Sequence, residues 1–135
     1  MKKLTPEWIL RISFAVMYLY SGFDLATHPT AWTWAIPYWL RQLINSVVPL
    51  NGYIRFQGVI EIIIALFFLA WFLKPSIVKW IVLLSTLEMA VILFLTFVPF
   101  NAQNLLVTFR DIGLLGGLIA LSLILFGKDK PAPAI

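Results

Sequence analysis

Between Gly52 and Leu73 the chain reads GYIRFQGVIEIIIALFFLAWFL. A helix needs about 20 predominantly apolar residues to cross the hydrocarbon core of a bilayer, and this run suffices. Two charges, Arg55 and Glu61, lie in its first half. At the centre of a span each charge costs roughly 2.5 to 3.5 kcal/mol on insertion scales, so it must be paired, hydrated or neutralised. Similar apolar runs occupy residues 8–27, 77–98 and 105–126. With 61% hydrophobic and 12% charged residues, the chain lacks the polar surface that a soluble domain of its size requires. The expectation is an all-α, polytopic membrane protein: a single domain over 1–135, folded as a four-transmembrane-helix bundle. The net charge of +4 sits at the ends of the runs and forms no patch, so nucleic acid is not an expected partner. The absence of cysteine excludes disulfides, a CxxC redox centre and thiolate metal sites.

Thr5 and Pro6 suit the N-cap and first turn of a helix. The first span resembles a signal peptide, but it is too long, is interrupted by Arg11, and is followed by no small-x-small cleavage site. Arg11 is expected to snorkel to the cytoplasmic headgroups. The segment 28–51 is too polar and too rich in proline to span. Its Trp32, Trp34, Tyr38 and Trp39 favour the membrane–water interface, which predicts an interfacial loop with one short amphipathic helix from about Pro37 to Val47. Such a loop serves as an anchor or as a lid. Lys74, Pro75 and Ser76 read as a tight turn with Ser76 as N-cap, and Pro99 to Asn104 as a short polar turn. The Pro-rich stretch 127–135 reads as a disordered tail. All lysines fall on the side shared by the two termini and the middle turn. The positive-inside rule therefore places both termini in the cytoplasm and the chain in the cell (plasma or inner) membrane. No internal repeat stands out.

Helix rise places most of the intramembrane ionisable residues in one layer between the midplane and the outer surface. These are Asp24 near the end of the first span, Arg55 and Glu61 on the second, Glu88 near the middle of the third, and Arg110 and Asp111 on the fourth. On the first span Ser13, Met17, Tyr20, Ser21, Asp24 and His28 form a semipolar stripe, which is expected to face the bundle. Gly58, Glu61 and Ala65 share a face of the second span, and Ser85 and Glu88 share one on the third. Gly113 and Gly117 have the GxxxG spacing that permits close helix approach. Arg55 and Glu61 lie about 120° apart around their helix, at roughly 100° per residue, so each is expected to find its partner on a neighbouring span. The acids outnumber the arginines. In low dielectric that predicts at least one protonated carboxyl, with Glu88 the deepest. The proton-handling candidates are Glu61, Glu88 and Asp111, and the ligand-binding candidates are Asp24, Arg55, Glu61, Glu88, Arg110, Asp111 and Tyr20. The bland reading of the same residues is an ion-pair network that holds four helices in register. A lone His28 does not make a metal site.

Three short motifs carry a resemblance. They are Tyr20-Ser21-Gly22-Phe23-Asp24, Arg55-Phe56-Gln57-Gly58-Val59-Ile60-Glu61, and Phe109-Arg110-Asp111-Ile112-Gly113-Leu114-Leu115-Gly116. Together they resemble the DoxX-like family of small four-helix membrane proteins, over nearly the whole chain. The resemblance implies a four-helix bundle linked to membrane redox chemistry. Branches of the family include the quinone-reducing membrane part of a thiosulfate oxidoreductase, a membrane partner of oxidative-stress enzymes, and a maturation factor for a disulfide-rich periplasmic dehydrogenase. Three functions follow as expectations. The first is a quinone-interacting oxidoreductase subunit in which the acid cluster and Tyr18 or Tyr20 meet the quinone headgroup. It has no intrinsic cofactor and needs an electron-delivering or soluble redox partner protein. The second is a small-solute or lipid-binding transporter, which requires a homo-oligomer. The third is a membrane scaffold that anchors a soluble enzyme. No self-contained catalytic motif is present.

Overall fold

The computed structural model describes residues 5–97 and 102–128, with backbone only for 96, 97 and 102–110. Among them are five α-helices: α1 (Pro6–Thr27), α2 (Tyr38–Asn45), α3 (Leu50–Leu69), α4 (Pro75–Phe97) and α5 (Ala102–Gly127). A 3-10 helix, Pro29–Ala35, follows α1. Three of these helices, Pro6–Thr27, Leu50–Leu69 and Pro75–Leu95, are long and apolar enough to cross a membrane. Each carries an outward apolar stripe at helical spacing. On α4 it runs Ile77, Trp80, Leu84, Leu87, Val91 and Phe94; on α3 it includes Phe56, Val59, Ile63 and Leu66. Apolar stripes this long on the outside of a helical protein are solvated by lipid. The chain is thus a helical membrane protein. The described apolar part of α5, Asp111–Gly127, is shorter than a full span.

α1 packs chiefly along α3, and α4 along α5, while the contacts that join the two pairs are sparser. The α1–α3 crossing depends on two glycines. A Cβ on Gly22 would lie 2.6 Å from the Gly58 carbonyl oxygen, and a Cβ on Gly58 would lie 2.6 Å from that of Gly22. Only a missing side chain on both helices lets the backbones meet so closely. The GxxxG pair expected to do this lies elsewhere. A Cβ on Gly113 meets nothing within 4 Å among the described residues, and one on Gly117 meets the Phe14 ring at 2.8 Å. Gly117 therefore makes room for an aromatic side chain, not for a helix backbone. Between α4 and α5, Thr86 Oγ1 and Ser122 Oγ are 3.2 Å apart. The core joins the two pairs through Phe14, Phe68, Val82, Leu118, Leu121 and Leu125.

The buried face of α1 is Glu7, Arg11, Phe14, Ala15, Tyr18, Gly22 and Leu25. The expected semipolar stripe lies beside this face: Ser13 and Tyr20 are exposed, and Met17, Ser21 and Asp24 are intermediate. The offset has two causes. Gly22 must face α3, and the aromatic rings of Phe14 and Tyr18 fill more of the core than the small polar side chains do. Ser13 meets its own hydrogen-bonding need by donating to the Ile9 carbonyl at 2.9 Å.

Arg11 corrects the sequence reading most sharply. It does not reach out to headgroups; it is only 5% exposed. Its Nε donates to the Phe68 carbonyl at 2.8 Å and its Nη2 to the Ala70 carbonyl at 3.1 Å. Nη1 pairs with Glu7 at 3.4 Å, and the guanidinium lies 4.1 Å from the Trp8 ring centroid. The carbonyls of the last helical turn have no partners within the helix and carry the negative end of its dipole. A planar fork of donors suits them. Lys128, past the end of α5, closes on the other oxygen of Glu7. Glu7, Arg11 and Lys128 thus tie α1, the end of α3 and the end of α5 together.

This capping accompanies a helix shorter than expected. α3 ends at Leu69, not near Leu73, and a turn over 70–74 leads to α4. The N-cap is also displaced. Lys74 supplies the carbonyl that accepts from Ile77 and Val78, Pro75 opens α4, and Ser76 lies inside the helix. Thr5 does cap α1, accepting from the Trp8 amide at 3.4 Å. The tail 129–135 and most of the polar turn from Pro99 lie outside the described residues, as does the Arg110 side chain.

Candidate functional site

At the end of the bundle away from the described termini, a cavity of ≈ 730 Å³ lies between the helices. α1 contributes Met17, Tyr18 and Ser21 to it. Ile54, Gln57 and Glu61 come from α3, Leu84, Glu88 and Met89 from α4, and Asp111 and Leu114 from α5. The segment after α1 covers one side with Trp32, Ile36, Pro37 and Leu40. Asp24 fixes that cover. Its two oxygens take the Trp32 Nε1–H at 2.8 Å and His28 Nδ1 at 3.0 Å. The short helix α2 is held at its exit by Asn45, whose side-chain oxygen accepts from the Leu50 amide at 2.9 Å. Its Tyr38, Trp39 and Leu43 face outward, as an interfacial helix requires.

The cavity walls are apolar except for a few polar groups, and several of those lack partners. Glu61 is 6% exposed, and its Oε2 has no hydrogen-bond partner among the described residues. Tyr18 is 3% exposed, and its hydroxyl has none either. Glu88 accepts a hydrogen bond from Gln57 Nε2 on one oxygen, while its Oε2 is buried without a partner among the described residues. Ser85, beside Glu88, is already engaged, donating to the Ile81 carbonyl at 3.0 Å. A buried polar atom without a partner costs about 1 to 3 kcal/mol, and more when charged, so native proteins rarely keep one without a reason. Three of them opening on one cavity leave hydrogen-bonding capacity there that a ligand or ordered water can complete.

The structure separates the residues picked out from sequence. Glu61, Glu88 and Asp111 come together at the cavity, and Tyr20 lies at its edge, 76% exposed. Asp24 holds the covering segment and does not line the cavity. Arg55 is exposed on another side of α3 and makes no ion pair or hydrogen bond among the described residues. Glu61 has no ion pair among them either, and the Arg110 side chain lies outside the described residues. Gln57 was passed over in the sequence, although it lies one helical turn from Glu61 and so shares its face. No group of three or more metal-ligating side chains occurs among the described residues. Comparison with protein-family models, curated proteins and solved structures finds no match.

Proposed function

We propose that this chain is a DoxX-like, four-span membrane protein whose interhelical cavity binds a quinone-type ligand from the lipid phase. The observation that carries the reading is the set of partnerless polar atoms, Tyr18 Oη, Glu61 Oε2 and Glu88 Oε2, in an otherwise apolar cavity. A quinone headgroup presents two carbonyl acceptors and carries an apolar tail. The Tyr18 hydroxyl is a ready donor, and a protonated Glu88 or Glu61 is a second. Leu84, Leu87 and Met89 offer an apolar path for the tail. The cavity volume lies in the range that small-molecule sites occupy, about 300 to 1,000 Å³. Reduction of a quinone to a quinol takes two electrons and two protons. The carboxyls of Glu61, Glu88 and Asp111 stand where they can pass protons. In this reading the electrons come from a partner protein. The fourth span of this reading is α5, and the termini face the cytoplasm.

The test is binding of a short-chain ubiquinone analogue to the full chain in lipid nanodiscs, followed through quenching of tryptophan fluorescence. Saturable binding is expected, weakened about tenfold by Tyr18→Phe, the worth of one hydrogen bond of about 1.4 kcal/mol. Quenching that is linear in analogue concentration and identical in wild type and Tyr18→Phe sinks the reading.

A further inference from the structure

Among the described residues, the charged side chains around the cavity have one sign. Glu61, Glu88 and Asp111 line it, and no lysine, arginine or histidine does among the described residues. Two of the three carboxyls have a buried oxygen without a partner there, and Glu61 is more than nine-tenths buried. Around them stand the rings of Tyr18, Trp32 and Tyr53 and the thioethers of Met17 and Met89. Carboxylates in a low-dielectric wall attract cations strongly, and aromatic faces add cation–π attraction of about 0.5 to 2 kcal/mol each. A small metal ion is a poor fit, because its ligands must converge and no such cluster exists among the described residues. A large organic cation, whose charge is spread over apolar groups, matches both the acids and the walls. Leu84, Leu87 and Val91 line the cavity and are also exposed on the outside of α4. The cavity therefore opens toward lipid, where such cations collect.

We propose that this cavity binds lipophilic organic monocations, such as aromatic ammonium or phosphonium ions, with Glu61 and Glu88 as exchangeable counter-charges. The exchange balances. A carboxylic acid gives its proton to water, the carboxylate takes the cation, and the net charge of the site is unchanged. Among the described residues, the groups facing this pair are Tyr18 from α1, Gln57 on α3 and Asp111 from α5, and the covering segment brings Trp32 without a charge. None of these supplies a positive charge that would compete with the ligand. The proposal does not depend on the quinone reading, since a neutral carbonyl ligand needs a donor where a cation needs an ionised acceptor.

The experiment is calorimetric binding of tetraphenylphosphonium to the full chain in nanodiscs at pH 6, 7 and 8, with a neutral ubiquinone analogue as a second titrant. Cation affinity is expected to rise with pH, by up to about tenfold per unit when one proton leaves for each cation bound. Glu61→Gln and Glu88→Gln are each expected to weaken cation binding at least tenfold and flatten its pH dependence, while Glu61→Asp retains both. Thermal unfolding of each variant reports whether it is folded. Cation binding that is independent of pH, or unchanged in the folded double variant Glu61→Gln/Glu88→Gln, overturns the proposal. Cation binding without quinone binding removes the preceding reading and leaves this one standing; quinone binding without cation binding does the reverse. If both bind, displacement of one by the other places them in one cavity.

Discussion

The two ends of this bundle use the same helices and treat buried polar groups in opposite ways. At the end that carries the described termini, Arg11 and Glu7 are as deeply buried as core leucines, yet their polar atoms are matched. Phe68 and Ala70 carbonyls, Glu7 and the Trp8 ring surround one guanidinium, and Lys128 completes Glu7. Phe14, Phe68 and Leu125 fill the space beside them. At the other end, Tyr18 and Glu61 are buried and Glu88 is half-buried beside a cavity, and an atom of each has no partner among the described residues. A satisfied polar network next to dense packing stabilises a fold. An unsatisfied one next to a cavity is costly in the empty protein and gains most when something enters. The position of a buried charge along a helix is therefore less informative than the completeness of its surroundings.

If that contrast is right, substitutions at the two ends should differ in kind. The largest effect is expected for Arg11→Leu. It strands Glu7 and the last carbonyls of α3, and should destabilise the protein by about 3 to 5 kcal/mol, the usual cost of breaking a buried ion pair from one side. Arg11→Lys should recover only part of this, because one ammonium cannot reproduce the planar fork of donors. Unfolding in mixed micelles by added SDS measures both. Equal stability of Arg11→Leu and wild type would remove the clamp from this account.

Next comes Gly58→Ala. The added methyl falls 2.6 Å from the Gly22 carbonyl, a backbone atom that cannot swing aside. Overpacking of this sort costs about 1 to 3 kcal/mol. The same SDS titration applies, with Gly113→Ala as the contrast: it should change stability by less than about 0.5 kcal/mol, because open space surrounds it among the described residues.

At the cavity end the sign should turn. Glu88→Gln and Tyr18→Phe are expected to leave stability unchanged or to raise it by up to about 1 kcal/mol, since each removes an uncompensated polar atom or charge. Loss of stability comparable to Arg11→Leu would mean that the cavity end is a structural network after all. The smallest effect belongs to the covering segment. Trp32→Phe removes a hydrogen bond to Asp24 worth about 1 kcal/mol. It should raise proteolytic or hydrogen-exchange access to residues 29–37 without shifting global unfolding.

Much of the fold was legible in the chain. The apolar runs gave the helices and their approximate limits, and the amphipathic pattern of the proline-rich aromatic segment gave a short helix within about a turn of α2. Thr5 was readable as a cap because its side chain acts within four residues. The misreadings share a physical origin. Arg11 near a helix start suggests snorkelling, because nothing local reveals that the end of α3, more than fifty residues on, offers bare carbonyls. Gly113 and Gly117 carry a well-known spacing, but the helices meet at Gly22 and Gly58, one glycine on each, a pairing that no spacing within one helix encodes. The stripe on α1 was read from polarity, whereas the size of the Phe14 and Tyr18 side chains decided which face turned inward.

The sequence by itself determined what must be hidden from water and what must not stand alone in lipid, since both depend on residue type and period. It thereby set the helical membrane class and singled out Glu61, Glu88 and Asp111 as residues needing an explanation. Tertiary structure decided which of the charges are answered. Arg11 met carbonyls and Asp24 met Trp32 and His28. Glu61 and Glu88 met a cavity that α1, α3, α4 and α5 line together, while the Gly22–Gly58 contact holds α1 and α3 together. Partnership between groups on different helices depends on a few ångströms of helix separation, and that distance is a property of the assembled bundle.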